Sequence, residues 1–305
     1  MQSVEDRVVA RAAVEVLQPL LDPRFDPRSF GYRPKKGPLR ALATAEKLYR
    51  DHNLGVWVSV DIKNAFPSAP TGRLLGVICN YLPDDELLAF IETVTRPDKM
   101  PGLRQGSPLS PLLLNLYLHH LLDRKWRRLY PDIPLLRFAD DILLLCQTQK
   151  QAREAYKALV TLLCATGFEL KECENDAIRM VSAGEEVNWM GFGIDAAPEG
   201  LRFTVTDESW DSLTEKFAAA HGRPDSPVAA VLSLMGWLGD KGPCFPHTNI
   251  SQAYRRIKRL AGVQEFDEIL DQHEVVSFWQ KGYARWCKLR KRVTACGGAV
   301  YDGGK

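Results

Sequence analysis

Apolar residues return at helical spacing over 3–21, 38–51, 71–82, 84–95, 107–128 and 149–166, and again over 207–220, 226–238, 249–262 and 273–295. Pro23 and Pro27 punctuate the loop after the first stretch, and Gly167 closes the sixth. Shorter β-branched and apolar runs predict strands at 56–61, 134–139, 142–146, 168–172, 177–182 and 187–193, with a hairpin over 196–206. Helix and strand alternate without a regular βαβ repeat. That order predicts an α+β fold with an antiparallel sheet, followed by a helical bundle. Gly239–Pro243 reads as a turn-rich linker, and the tail from Gly297 to Lys305 is expected to be loose.

Two polar features interrupt the apolar pattern. Asp140-Asp141 lies between Leu135–Ala139 and Ile142–Cys146, so the pair is expected at the tip of a tight hairpin. Adjacent carboxylates repel and lose hydration there unless a cation sits between them. An ordinary Asp-containing turn is the plain alternative, although the connection lacks the Gly or Asn that hairpins usually carry. Asp61 ends the run Val56–Val60, where it is either a turn residue or a third carboxylate beside the hairpin tip. Three such groups would anchor two-metal phosphoryl transfer.

Between the acidic motifs runs Gly102-Leu103-Arg104-Gln105-Gly106-Ser107-Pro108-Leu109-Ser110-Pro111. Gly106 allows close backbone approach, Ser107 is the expected helix cap, and Pro108 suits a first turn. Gln105 would project from the loop, its amide free to bond a base or sugar. A capped core helix accounts for the following apolar run, though not for this polar string.

Together these segments resemble the palm of a reverse transcriptase, most closely of the bacterial group II intron type. Phe138–Asp141 is similar to the family's Tyr/Phe-Ala-Asp-Asp signature, Gln105–Pro111 to its template–primer and nucleotide motif, and Asp61–Phe66 to its first metal motif. Ser29–Pro34 resembles a fingers motif, and Trp189-Met190-Gly191-Phe192 the primer-grip hairpin. The resemblance implies a right-hand polymerase fold: partial fingers over 1–55, an antiparallel-sheet palm over 56–195, and a helical, basic thumb over 196–305. It implies an RNA-directed DNA polymerase using two Mg²⁺ or Mn²⁺ ions, dNTPs, an RNA template and a DNA primer. Asp61, Asp140, Asp141 and the carbonyl of Ile62 would hold metal, with Asp141 the auxiliary ligand. Ile62, Phe66, Gln105, Gly106 and Arg33 would line the nucleotide, Phe66 excluding a 2′-hydroxyl.

Three departures accompany the resemblance. The family's fingers hairpin, whose Lys and Arg clamp the triphosphate, would precede Val4–Val9, and the chain begins at Met1. A compact variant, a truncated frame, or a protein chain or non-coding RNA completing the enzyme would each account for that; Arg33, Lys35 and Lys36 are partial substitutes. Glu174 stands where relatives place a Lys, with Lys171 expected to point elsewhere on its strand. Pro67 follows Phe66 where an Asp is common. The middle motif argues against diversity-generating elements, and no Val-Thr-Gly string of retron enzymes is found. Without a zinc or endonuclease module, the expectation is a free-standing relative serving defence or another domesticated role. Two rivals stand beside it: a non-polymerising, maturase-like RNA-binding protein, and template-independent or protein-primed nucleotide addition.

Composition adjusts this picture modestly. The chain has 305 residues, 45% hydrophobic, enough for one sizeable core and a smaller module. Its seven cysteines form no CxxC pair and read as reduced core residues of a cytoplasmic protein. No apolar run is long enough to span a bilayer, so no membrane partner is expected. His119-His120 read as packed or surface residues. A net charge of +2 is small, but 11 basic residues stand against six acidic ones from 251 onward. Lys281, Arg285, Lys288 and Arg292 fall on one helical stripe, opposite Trp279, Tyr283, Trp286, Leu289 and Val293. A solvated face is the plain reading; beside a palm, a stripe tracking nucleic-acid phosphates is the expectation.

Overall fold

The computed structural model describes residues 3–95, 102–198 and 200–295. The tail from Gly297, and Cys296, lie outside them. In chain order the elements are α1 (Val4–Leu21), α2 (Pro38–His52), β1 (Val56–Asp61), α3 (Ala65–Ser68), α4 (Thr71–Tyr81), α5 (Asp85–Thr95) and α6 (Ser110–Leu118). Next come α7 (Arg124–Leu129), β2 (Leu135–Phe138), β3 (Asp141–Cys146), α8 (Gln149–Thr166), α9 (Glu174–Ala177) and β4 (Ile178–Met180). A second run follows: β5 (Val187–Trp189), β6 (Phe192–Ala197), β7 (Gly200–Val205), α10 (Asp207–Ala220), α11 (Ser226–Asp240), α12 (Ile250–Val263) and α13 (Gln272–Ala295). The α+β class with antiparallel pairing is therefore present, with strand order β2-β3-β1-β4 in one sheet and β5-β6-β7 in another.

The chain divides into two compact units. One holds the segment up to Gly37 with His52–Arg179; the other holds Pro38–Asp51 with the chain from Met180. In the first, β3 is buried along Ile142–Cys146 because α8 packs on both β3 and β1. Alternation is lost where both sheet faces are covered, which explains the continuous apolar run. In the second, Trp210, Trp237 and Trp279 pack in sequence as tilted ring pairs, with centroids 4.8 and 6.0 Å apart, and the Trp279 indole donates to the carbonyl of Lys241 at 2.7 Å. Gly282 lies against the chain at Gly239 and Gly242; a Cβ there would sit 2.9 Å from the Leu238 carbonyl oxygen.

Four local expectations are corrected. Ser107 does not cap a helix: α6 starts at Ser110, whose hydroxyl donates to the Arg104 carbonyl at 2.6 Å. The helix expected over 107–128 is interrupted by a π turn at His119–Asp123, where the i→i+5 pattern re-aims the following side chains. The strand expected at 168–172 is a single bridge, Ile62 with Leu170, because the chain turns at once into α9. The strand expected at 187–193 folds back on itself between Trp189 and Phe192. Of the six described cysteines, all free, Cys146 and Cys244 are buried while Cys79, Cys164 and Cys173 are exposed, so the core reading holds only in part. No helix among the described residues is long and apolar enough to cross a membrane.

Candidate active site

The hairpin between β2 and β3 has a two-residue turn, Ala139-Asp140, because Phe138 pairs with Asp141. Asp140 thus occupies the tip, whereas Asp141 is the first residue of β3 rather than part of the turn. Ala139 takes a left-handed φ of 59°, an unfavourable setting for a residue with a Cβ. What holds it is contact. Gly31 lies so close that a Cβ would fall 2.2 Å from the Ala139 nitrogen. The Arg137 guanidinium also donates to the Ala139 carbonyl at 2.8 Å.

Arg137, hidden in the sequence among leucines, is fully buried. It pairs with Asp123 at 2.7 Å and donates to Asn115 at 2.9 Å and to the Ser29 hydroxyl at 3.0 Å. The π turn delivers Asp123 to it, and Asn115 in turn donates to the Gly31 carbonyl at 2.7 Å. One buried cation therefore ties α6, the π turn, the Ser29–Gly31 segment and the hairpin into a closed polar network.

The register places Asp61 directly across from Asp141, and the Ile62 amide donates to the Asp140 carbonyl at 3.2 Å. All three carboxylates meet at this strand end. Burial first, then the charges of Asp61 and Asp140, push the Asp141 carboxyl up to about 7. Burial and the Asp61 charge raise that of Asp140. Lys171 does not point away, as its position on a strand would have required. Without that strand, its ammonium bonds the Asp61 carboxylate, and its amide donates to the Asp61 carbonyl at 2.9 Å. Glu172 accepts from the Asp61 amide at 2.7 Å. Glu174 faces Arg153 and Lys157 at about 4 Å.

The nucleotide candidates divide. Phe66, half-buried on α3, meets the ring edge of Tyr32, with centroids 6.4 Å apart. Its carbonyl accepts from the Leu103 amide at 2.7 Å, which couples Phe66 to the loop carrying Gln105 and Gly106. Those two residues are exposed at a turn where Gly106 has φ 82°. Tyr32 had no role assigned from sequence. It is half exposed, and partial burial, then the Asp140 and Asp141 charges, raise its hydroxyl pKa. The one available clue was an aromatic in the Gly-Tyr-Arg-Pro string.

Arg33 is corrected. Its guanidinium donates to the Asp22 carboxylate at 2.7 Å and to the carbonyls of Asp26, Ser29 and Asp22 at 2.6 to 2.8 Å. With its donors consumed, Arg33 rivets the loop after α1 and has none to spare for a triphosphate. Lys36 likewise donates to the Pro27 carbonyl at 2.7 Å.

The remaining candidates belong to the second unit. Trp189 and Phe192 pair across the β5–β6 turn and are buried, while Met190 and Gly191 at the turn are half-buried. Both take left-handed φ values, 53° and 70°. Lys241, assigned from sequence only to a linker, is buried beneath them. Its ammonium donates to the Gly191 carbonyl at 2.7 Å and lies 3.8 Å from the Phe192 ring centroid. Burial lowers its pKa to about 8. The unfolded chain therefore keeps a proton that the folded one has lost between pH ~8 and ~10.5, and stability rises with pH across that window. Unfolding free energies of wild type and Lys241→Met from urea titrations across it should diverge by up to about 2–3 kcal/mol, the variant lacking the rise. On α13 the stripe Lys281, Arg285, Lys288 and Arg292 is exposed as expected, although Arg285 donates to the Gly239 carbonyl at 3.0 Å.

Metal can be tested against this geometry. Asp61 Oδ1 is buried without a hydrogen-bond partner, and all the donors are hard oxygens, the set that suits Mg²⁺ or Mn²⁺. Among the described residues no three acidic, His or Cys side chains form a ready-made cage. That agrees with Mg²⁺ sites in which one or two carboxylates are completed by substrate phosphates.

The antiparallel sheet and the three carboxylates at this strand end have the arrangement of a polymerase-type palm. The family described as reverse transcriptase (RNA-dependent DNA polymerase) matches residues 1–194, and the chain belongs to it. Among relatives, the group II intron-encoded protein LtrA of Lactococcus lactis is 29% identical over 126 residues, covering 38% of this chain and 20% of LtrA. An uncharacterised 91 kDa protein in the cob intron of Schizosaccharomyces pombe is 27% identical over 128 residues, covering 39% of this chain and 16% of its own length. The matches thus span about a fifth or less of these relatives. Apo telomerase from Candida tropicalis shares the fold with TM-score 0.50 and 10% identity, over 96% of this chain and 60% of that one.

Proposed function

We propose that the chain is an RNA-directed DNA polymerase extending a primer with dNTPs, and that Asp61, Asp140 and Asp141 carry its chemistry. The observation that supports this most is the convergence of three carboxylates at one strand end, with a buried, unpartnered Asp61 oxygen and an Asp141 carboxyl pushed up to about 7. Such a site is held poised for positive charge.

Asp61, Asp140, Asp141 and the Ile62 carbonyl would hold the ions. When bound, two divalent ions supply the charge that activates a primer 3′-hydroxyl and stabilises the departing pyrophosphate. The protein's own part is positional. Asp61 is oriented by the hydrogen bond its backbone N–H donates to the Glu172 carboxylate and by the Lys171 ammonium, Asp140 by the turn, and Asp141 by strand pairing. The Tyr32–Phe66 edge contact beside them offers an apolar floor for a sugar. Gln105 and Gly106 present an amide and open backbone from the adjoining loop. A biological role in defence or another free-standing pathway belongs to this proposal, as do cytoplasmic placement and completion of the fingers by a protein chain or a non-coding RNA. So does the division into partial fingers, palm and thumb.

The test is primer extension on an RNA template with Mg²⁺ or Mn²⁺, comparing wild type with Asp140→Asn. Loss of the carboxylate should lower incorporation by about 100-fold or more, equivalent to about 2.7 kcal/mol of transition-state stabilisation. Equal incorporation by both proteins would remove the assignment. Phe66→Ala should narrow the preference for dNTPs over NTPs; an unchanged ratio would discard Phe66 as the discriminating residue.

A further inference from the structure

Phe66 stands in a setting that its own sequence opposes. It lies in the single helical turn α3, immediately before Pro67, and a proline ring disfavours helical backbone in the residue that precedes it. Asn64, which leads into the turn, takes a left-handed φ of 49°. One turn of helix gains too little from its own hydrogen bonds to offset such preferences. What holds Phe66 in place must come from elsewhere in the fold.

The loop that starts at Gly102 supplies it. The Leu103 amide donates to the Phe66 carbonyl at 2.7 Å, and the Gly102 amide donates to the hydroxyl of Thr71, the first residue of α4, at 3.2 Å. Leu103 and Thr71 are both buried, and a buried donor left without its acceptor is costly. Gly102 has φ 84° and lies so close to α3 that a Cβ would collide with the Pro67 carbonyl. Both facts call for glycine. Further along, the Arg104 carbonyl accepts from the Ser110 hydroxyl at 2.6 Å, so the loop is fixed on both sides of the exposed Gln105-Gly106 turn. Two successive amides thus clasp the Phe66 turn and the start of α4 to the loop that presents Gln105.

We propose that Thr71 and Gly102 are positioning residues for nucleotide selection: their hydrogen bond seats the Leu103 amide on the Phe66 carbonyl and so fixes how far the Phe66 ring stands from the Gln105 turn. Neither residue needs to touch the nucleotide. Without the clasp, the preference imposed by Pro67 lets the Phe66 turn relax, and the ring no longer closes on the position of a 2′-hydroxyl. This rests on the reading of Phe66 as the residue that excludes that hydroxyl.

The test compares the full chain as wild type, Thr71→Val, Thr71→Ser, Gly102→Ala and Phe66→Ala. Two ratios are measured: kcat/KM for dGTP over GTP in primer extension, and the equilibrium affinity for dGTP over GTP on a dideoxy-terminated primer, where no bond can form. Thr71→Val should lower both ratios by about three- to tenfold, the range that one lost hydrogen bond accounts for, mainly through tighter use of GTP. Gly102→Ala should lower them at least as far, and Thr71→Ser, which keeps the hydroxyl, should retain the wild-type ratios. Should Gly102→Ala fail to fold, the Thr71 pair decides alone. Ratios unchanged in Thr71→Val while Phe66→Ala lowers them would overturn the clasp and leave the role of Phe66 standing. Thr71→Ser behaving like Thr71→Val would also overturn it, as would an equal loss with dGTP and GTP, the mark of a merely structural contact. Ratios unchanged in Phe66→Ala would reject the reading of Phe66 and this inference with it. A wild type that extends no primer would reject the polymerase reading, and the binding ratios would still judge the clasp.

Discussion

Arg137→Met is expected to destabilise the protein by about 3–5 kcal/mol, because it leaves the Asp123 carboxylate buried without its cation. The Ala139 carbonyl, the Ser29 hydroxyl and Asn115 each lose a bond as well. Chemical denaturation should report the loss as a lower midpoint. Part of it should return in the double variant Arg137→Met/Asp123→Leu, which removes the stranded charge. A single variant as stable as wild type would mean that the network is decoration. Catalysis should suffer beyond stability, since the carbonyl that Arg137 holds belongs to the residue before Asp140.

Asp141→Asn should move stability and activity in opposite directions. In the folded protein this carboxyl titrates at about 7. In the unfolded chain it should titrate near the ordinary ~3.9. Between those values the folded state holds a proton that the unfolded state has released. Stability contributed at this position is therefore present at low pH and is lost as pH rises from about 4 to 7. Above pH 7, in chelator, wild type carries an uncompensated carboxylate. The variant should be more stable there, by on the order of 2 kcal/mol after solvent screening. Thermal unfolding of both proteins from pH 4 to 8 checks this, because the variant should lack that descending component. Adding Mg²⁺ or Mn²⁺ should stabilise wild type more than the variant, while incorporation by the variant falls by about 10- to 100-fold. Identical pH profiles would show that Asp141 is not the strained group.

The sequence revealed the parts whose signal is local. Most helices and β1 follow from apolar spacing and their caps: Gly167 ends α8 in a left-handed turn, as its position implied. The acidic trio was legible because charge at the end of an apolar run is conspicuous. What escaped depended on partners distant in the chain. Arg137 looked like one polar residue in a strand, and its meaning came from Asp123 on a π turn that no periodicity announces. Lys171 reaches Asp61 because the strand that would have turned its side chain away does not form. Arg33 invited a ligand role by charge alone, but its acceptors are loop carbonyls, which sequence does not display. Lys241 was hidden in a linker because nothing in its neighbours signals that a lysine there is buried.

The second unit is discontinuous, and that has a consequence for how it is made. Helix α2 belongs with residues beyond Met180, although β1 to α9 of the first unit intervene. Arg50 reaches the Thr294 hydroxyl across 244 positions, and the buried Glu46 forms its ion pair with Arg290. During synthesis α2 therefore emerges long before the helix that completes its surroundings. Closing so long a loop is slow, and the exposed face of α2 must wait through it. The first unit, apart from that excursion, can settle as soon as Arg179 has emerged. Assembly should proceed in two stages, with the catalytic hairpin ordered first and the unit containing α12 and α13 locking last.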